Sequence, residues 1–158
     1  MFKPLDIAAY IVKLSNEIGE PMTNMKLQKL VYYTFVWYAV EKNKPLFKEG
    51  IQAWKYGPVV TSVYEAYKAY GADVIKETEG GNPESLDSFT KFLIEDVFKV
   101  YGNKSAIELM DLAHSEAPWR DTFDPKDQSK VIPFEAIVSF YKARKEVSGS
   151  ENVKQEQM

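Results

Sequence analysis

A lone histidine, His114, has Asp111 three residues before it and Glu116 two residues after it, and this is where acid–base chemistry could be sought, because imidazole changes charge near neutral pH. The spacing does not develop that idea. His-x-Glu differs from the His-Glu-x-x-His pattern that puts two metal ligands on one helical face, and there is no second histidine to complete a common metal site. No Ser stands in a recognised nucleophile setting. Cysteine is absent, which excludes disulfides, thiolate nucleophiles and Cys-ligated zinc or iron–sulfur centres. Gly57 and Gly80-Gly81 form neither of the phosphate-cradling loops, Gly-x-x-x-x-Gly-Lys-Ser/Thr or Gly-x-Gly-x-x-Gly. The many Glu, Asp and Lys residues at helical steps read as a solvated face. A histidine near a helix C-terminus ordinarily meets free carbonyls and the negative end of the helix dipole. The residues therefore assign no catalytic group, no metal and no cofactor, and a hydrolase or transferase using His114 is kept only as a competing reading.

The rest of the composition narrows the class. At 158 residues, 45% hydrophobic and 14% aromatic, the chain has the make-up of one folded domain. Net charge is -3 and no basic run is present, so the electrostatic attraction that drives nonspecific nucleic-acid binding is missing. The N-terminus lacks an apolar signal core, and no stretch approaches the roughly 20 apolar residues that span a bilayer, so a cytoplasmic location with no membrane partner is the expectation. The distinctive feature is the aromatic load, including Tyr32, Tyr33, Trp37, Trp54, Tyr56, Tyr64, Tyr67, Tyr70 and Trp119. Such side chains fill cores and also supply the hot spots of protein interfaces.

The elements that position these groups are mainly helical. Ile7, Ala8, Ile11, Leu14 and Ile18 recur at three- and four-residue steps, which predicts a first helix over about residues 5–18. Thr23 can cap a second, running to about Glu41. Leu27, Leu30, Val31, Thr34 and Tyr38 share one of its faces while Tyr32, Val36 and Ala39 occupy the reverse, so both sides need cover. Gly50 to Trp54 favours an extended segment, and Gly57-Pro58 is expected to turn directly into a third helix ended by Gly71. Residues 77–82 read as a surface loop. Leu86, Phe89, Leu93, Val97 and Val100 predict a fourth helix, the capping box Ser105 to Glu108 a fifth containing Ile107, Leu109 and Leu112, and Pro133 opens a last one with Ile137, Val138 and Tyr141. The expected fold is thus a mainly α, compact single helical domain around a long central helix, with room for a small antiparallel β element near Gly50 to Trp54 and Val131-Ile132. Residues 1–146 make the domain, and residues 147–158, without aromatics or periodicity, are expected to be a disordered tail.

Three segments are more specific together than apart: Thr23 to Tyr32, Ala53 to Val59 and His114 to Trp119. With Asp6 to Ile11, Pro45-Leu46-Phe47 and the terminal helix, they make roughly residues 5–142 resemble the Panacea domain, the family of the SocA-like antitoxins and of phage-associated GepA-type proteins. The resemblance implies an antitoxin that binds a cognate toxin encoded by the adjacent gene. In SocA-like members it implies instead an adaptor delivering the toxin to a ClpXP-type protease. Family members pair with unrelated toxins, including enzymes of the alarmone-synthetase type. Some carry an added DNA-binding segment, whereas here the pattern begins within the first ten residues, so autonomous repression of an operon is not expected.

The motif residues also have a physical reading. Thr23 caps the central helix, Leu27 and Leu30 point into the core, and Lys26 and Lys29 are expected to extend to the surface or to an acidic patch on a toxin. Gly57-Pro58 fixes a sharp turn, and Pro118-Trp119 ends a helix while packing a large ring. Lys26, Lys29, Tyr33, Trp54, Tyr56, His114 and Trp119 are the candidate partner-binding residues, with Thr23, Leu27, Leu30, Gly57, Pro58 and Pro118 as scaffold.

Overall fold

A helix that is apolar nearly all round is stable only when other elements enclose it, and this chain is arranged around that requirement. The computed structural model describes residues 1–145; the tail expected over residues 147–158 lies outside the described residues. In chain order the elements are α1 (Pro4–Ile18), α2 (Asn24–Lys42), β1 (Gln52–Trp54), β2 (Gly57–Val59), α3 (Thr61–Tyr67), α4 (Ser88–Tyr101), α5 (Ala106–Ser115), α6 (Ala117–Arg120) and α7 (Phe134–Lys142). Every residue of α2 from Lys26 to Ala39 is buried. α1, α4, α5 and α7 pack around it, and α3 and the β1–β2 hairpin close the remaining side.

The local signals in the sequence account for the helix ends. Pro4 opens α1, and Gly19 closes it with φ of 74°. The Thr23 hydroxyl accepts from the Lys26 backbone N–H at 3.3 Å. The Ser105 and Glu108 side chains each accept from the other's backbone N–H, at 3.0 and 2.9 Å, and together begin α5. The expected bounds of α1 and α2 hold to within a residue, and α5 starts at the expected capping box. Ile107, expected on the apolar side of α5, is 62% exposed.

The largest departure lies between α2 and α3. Gly57-Pro58 does not start a helix: Gly57–Val59 is a strand, paired antiparallel with Gln52–Trp54 in the register Trp54↔Gly57, Ala53↔Pro58 and Gln52↔Val59, and α3 begins at Thr61. Proline is tolerated there because a two-stranded sheet has free edges. Val131 contributes only an isolated bridge to Gln52. The two loop residues, Lys55 and Tyr56, keep negative φ; Gly57 takes the positive value, 121°, that the tight connection requires.

Residues 77–82 run over the surface as expected, yet they are fastened. Asp6 on α1 accepts from the Asn82 backbone N–H at 2.8 Å and from the Ser85 hydroxyl at 2.7 Å. Gly81 passes so close that a Cβ there would overlap the Leu5 carbonyl oxygen.

Candidate functional site

The three motif segments, far apart in sequence, meet. Gly57 of the hairpin lies against the side chain of Lys29 on α2, where a Cβ would stand 2.8 Å from Lys29 Cε. Gln28, next to it, is equally buried and ties the same elements together. Its Oε1 accepts from the Val60 backbone N–H at 2.9 Å, its Nε2 donates to Asn24 Oδ1 at 3.0 Å, and Asn24 Nδ2 donates to the Tyr64 carbonyl at 3.2 Å. The third segment joins through Trp119, whose indole N–H donates to the Trp54 carbonyl at 2.8 Å. The His114 ring stacks on Trp119 with centroids 3.9 Å apart, and Phe123 stacks on Trp119 at 4.7 Å.

Glu116 anchors this segment from the inside. Its Oε1 accepts from the Tyr33 hydroxyl at 2.6 Å and from the Tyr141 hydroxyl at 2.8 Å. Tyr33 in turn stacks on Tyr101 at 4.2 Å, Tyr141 bonds Tyr32 at 3.0 Å, and Trp37 donates to the Tyr101 hydroxyl at 2.9 Å. Burial first and the neighbouring Glu116 charge next hold the Tyr33 phenol well above its usual range, so it remains a donor to the carboxylate. The sequence offered Glu116 only as a partner for His114. Its place inside the motif was the available sign of a larger role. A carboxylate 6% exposed needs several donors, and the surrounding tyrosines supply them.

On the outside of the junction lies a cleft of about 480 Å³, bounded by α2, the hairpin, α3 and Gln128. Trp54, Tyr56 and Tyr64 give it aromatic walls, and its charged lining is Lys29, Lys55 and Lys68 with no carboxylate. Trp54 is held edge-on to Tyr64 at 5.0 Å and donates its indole N–H to Gln52 Oε1 at 2.9 Å. Tyr56 stands 58% exposed at the hairpin tip, with the Lys55 ammonium 5.4 Å over its ring. Gln128 Oε1 accepts from the Lys55 backbone N–H at 2.7 Å, bracing the tip from the loop before α7.

The candidate residues separate accordingly. Lys29, Trp54 and Tyr56 line the cleft; Trp119 and His114 support it from behind; Tyr33 is wholly buried. The expectation that Lys26 and Lys29 extend to the surface is corrected. Lys26 is 5% exposed, with its ammonium bonded to the Gly102 carbonyl at 2.6 Å and Glu20 at 3.4 Å, at a different corner of the molecule. Lys29 is 1% exposed, and burial lowers its ammonium from the usual lysine range to about 8. Burial likewise holds His114 below the usual imidazole range; a hydrogen bond to the Lys55 backbone opposes this and the Lys29 charge adds to it. Pro118 does not end α5 but stands in the first turn of α6, with Glu116 as the hinge residue between the two helices. Among the described residues there is no group of three or more His, Asp or Glu side chains that could hold a metal ion, and no helix is long and apolar enough to cross a membrane.

Comparison with known proteins points the same way as the motifs. Antitoxin SocA of Caulobacter vibrioides (strain NA1000 / CB15N) is 33% identical to this chain over 126 residues, which make up 72% of this chain and 66% of that protein. The chain thus spans slightly under two thirds of that relative's length. No solved structure matches it. The family described as antitoxin SocA-like, Panacea domain, matches residues 27–120, from the first buried leucine of α2 through the last residue of α6, and the chain belongs to that family.

Proposed function

We propose that this protein is an antitoxin that neutralises a cognate toxin, encoded by the adjacent gene, by direct protein–protein binding and without catalysis of its own. The observation that carries the reading is an aromatic-walled cleft with its hairpin tip presented to solvent, lined by two of the family motifs and braced from behind by the third through Trp119. Interface hot spots are enriched in Trp and Tyr held in preformed pockets, and Trp54, Tyr56 and Tyr64 are of that type. The rigid support beneath them reduces the ordering cost of association. A cytoplasmic site of action follows from this reading.

Induction of the adjacent gene product with and without this chain, coupled to co-purification, tests it. A stable complex together with restored growth is expected. Restored growth without a complex, dependent on a ClpXP-type protease, would replace direct neutralisation by adaptor activity. No rescue would overturn the antitoxin reading.

A further inference from the structure

Lys29 is a buried cation left without a counter-charge. Among the described residues no carboxylate or carbonyl is recorded within bonding distance of its ammonium, and burial alone accounts for its lowered proton affinity. Isolated buried charges are costly and are ordinarily paired. Lys26, one turn earlier on the same helix, shows the ordinary solution with Glu20 and the Gly102 carbonyl. Lys29 instead lines the cleft.

The surroundings favour an anion there. Lys55 and Lys68 line the same cleft, no Asp or Glu does, and the chain as a whole carries a net charge of -3, so the positive lining runs against the overall balance. The first turn of α2, through Asn24 and Met25, also borders the cleft, and its positive helix end acts in the same direction. The side walls are apolar and aromatic, from Met25, Trp54, Val59 and Tyr64. An ammonium with no arginine fork beside it holds an anion as a point charge, and the anion that a protein partner carries on its own side chains is the carboxylate of Asp or Glu.

We infer that the cleft over Lys29 is a socket for one carboxylate side chain of the bound partner protein, an Asp or Glu carried beside an apolar or aromatic residue that packs on Trp54 and Tyr64. This deepens the direct-binding reading and rests on it. Docking supplies the counter-charge that the free chain lacks and removes the residual water from the cleft. The anchor is then strong because the pair is desolvated, while Lys55 and Lys68 at the exposed rim steer the approach.

The test uses the full chain and the adjacent gene product. Lys29→Met removes the charge and keeps the length of the side chain. It is expected to weaken the complex at least ~30-fold, the scale of losing one member of a buried interfacial pair, without lowering the thermal midpoint of the free chain. Lys55→Ala, at the rim, is expected to change affinity only a few-fold, with reduced salt dependence. Affinity of the wild-type complex should fall as pH rises above about 8, where free Lys29 loses its proton. His114 behind it, Lys55 and Tyr56 on the hairpin, Tyr64 on α3, and Lys68 with Glu65, its ion-pair partner at 4.0 Å, are the other titratable groups around the cleft, and the fall should vanish in Lys29→Met. A second measurement needs no partner: the Lys29 side-chain NMR titration should move up by at least one pH unit in saturating phenylacetate and stay in place with neutral phenethyl alcohol. A complex that Lys29→Met leaves unweakened overturns the socket while direct binding stands. Failure of the wild-type chain to form any complex overturns both. If Lys29→Met does not fold, a wild-type titration unmoved by phenylacetate overturns the socket by itself.

Discussion

The indole N–H of Trp119 donates to the backbone carbonyl of Trp54 across 65 positions of sequence, at 2.8 Å. This bond fastens α6 to the hairpin strand that forms one wall of the cleft. Trp119→Phe keeps most of the packing and leaves the carbonyl without this donor, so it should cost about 1 kcal/mol. Trp119→Ala also removes the stack between His114 and Phe123 and should cost roughly 3–5 kcal/mol. Urea denaturation midpoints at constant slope measure both; a Phe variant as stable as wild type would show that the bond does not organise the junction.

Glu116 is the acceptor shared by Tyr33 and Tyr141. Glu116→Gln exchanges a carboxylate for an amide that accepts through one oxygen and places an N–H₂ against buried hydroxyls, which should destabilise by about 1–3 kcal/mol. Near-ultraviolet circular dichroism should change with it, because the tyrosine cluster loses its common acceptor. An unchanged tyrosine signal with unchanged stability would remove Glu116 from the role of inner anchor.

The buried ammonium of Lys29 gives stability a pH dependence of unusual sign. Its proton affinity is lowered to about 8 on folding from the ordinary lysine value of 10.5. Between those two values the unfolded chain binds more protons than the folded one, so stability rises with pH. The destabilisation is complete below about pH 8 and is relieved as pH climbs toward 10.5. Burial of one unpaired amine corresponds to an upper bound of about 3 kcal/mol. Tyrosines whose phenols are held high in the folded state, Tyr33 and Tyr67 among them, work in the opposite direction above about pH 10. Urea melts between pH 7.5 and 9.5 should therefore show stability increasing, as far as the scale of ~1 kcal/mol per pH unit allows. Lys29→Met should be more stable than wild type at pH 7 and flat over that window. A flat wild-type profile would mean that Lys29 is solvated or paired.

Gly57 combines φ of 121° with a close approach to Lys29. Gly57→Ala should cost about 1–3 kcal/mol, mainly from backbone strain, since the opposing atom belongs to a flexible side chain. The same change pushes Lys29 or the hairpin tip out of position, so loss of partner affinity should exceed the loss of stability. Equal losses would indicate that the hairpin contributes to folding alone.

Much of this was legible in advance wherever the signal was local. Thr23, Gly19 and the Ser105–Glu108 box set helix ends through bonds to near neighbours, and the two-sided apolar pattern of α2 required a central position. The first strand falls within the extended segment expected over Gly50 to Trp54, but its partner Gly57–Val59 was not foreseen, because three residues are too few for alternation to register and because Gly-Pro before a helical run suggests a helix start. Lys29 escaped for a different reason. Lysines ordinarily keep their heads in water, and a helix enclosed on all sides has no direction in its sequence that marks where water remains. Glu116 became intelligible only when Tyr33, Tyr101 and Tyr141, from three separate helices, stood around it.

Lys55 and Tyr56 form the hairpin tip with ordinary negative φ, while Gly57 alone carries the left-handed turn. Apart from proline at position 55, which would lose the backbone N–H that donates to Gln128, L-amino acids can therefore occupy the two apical positions without opposing the backbone. Side-chain identity at the apex is uncoupled from folding: it can be exchanged to suit a different counterpart while α2 and its enclosure stay as they are. The demand for glycine sits one residue further along, at Gly57.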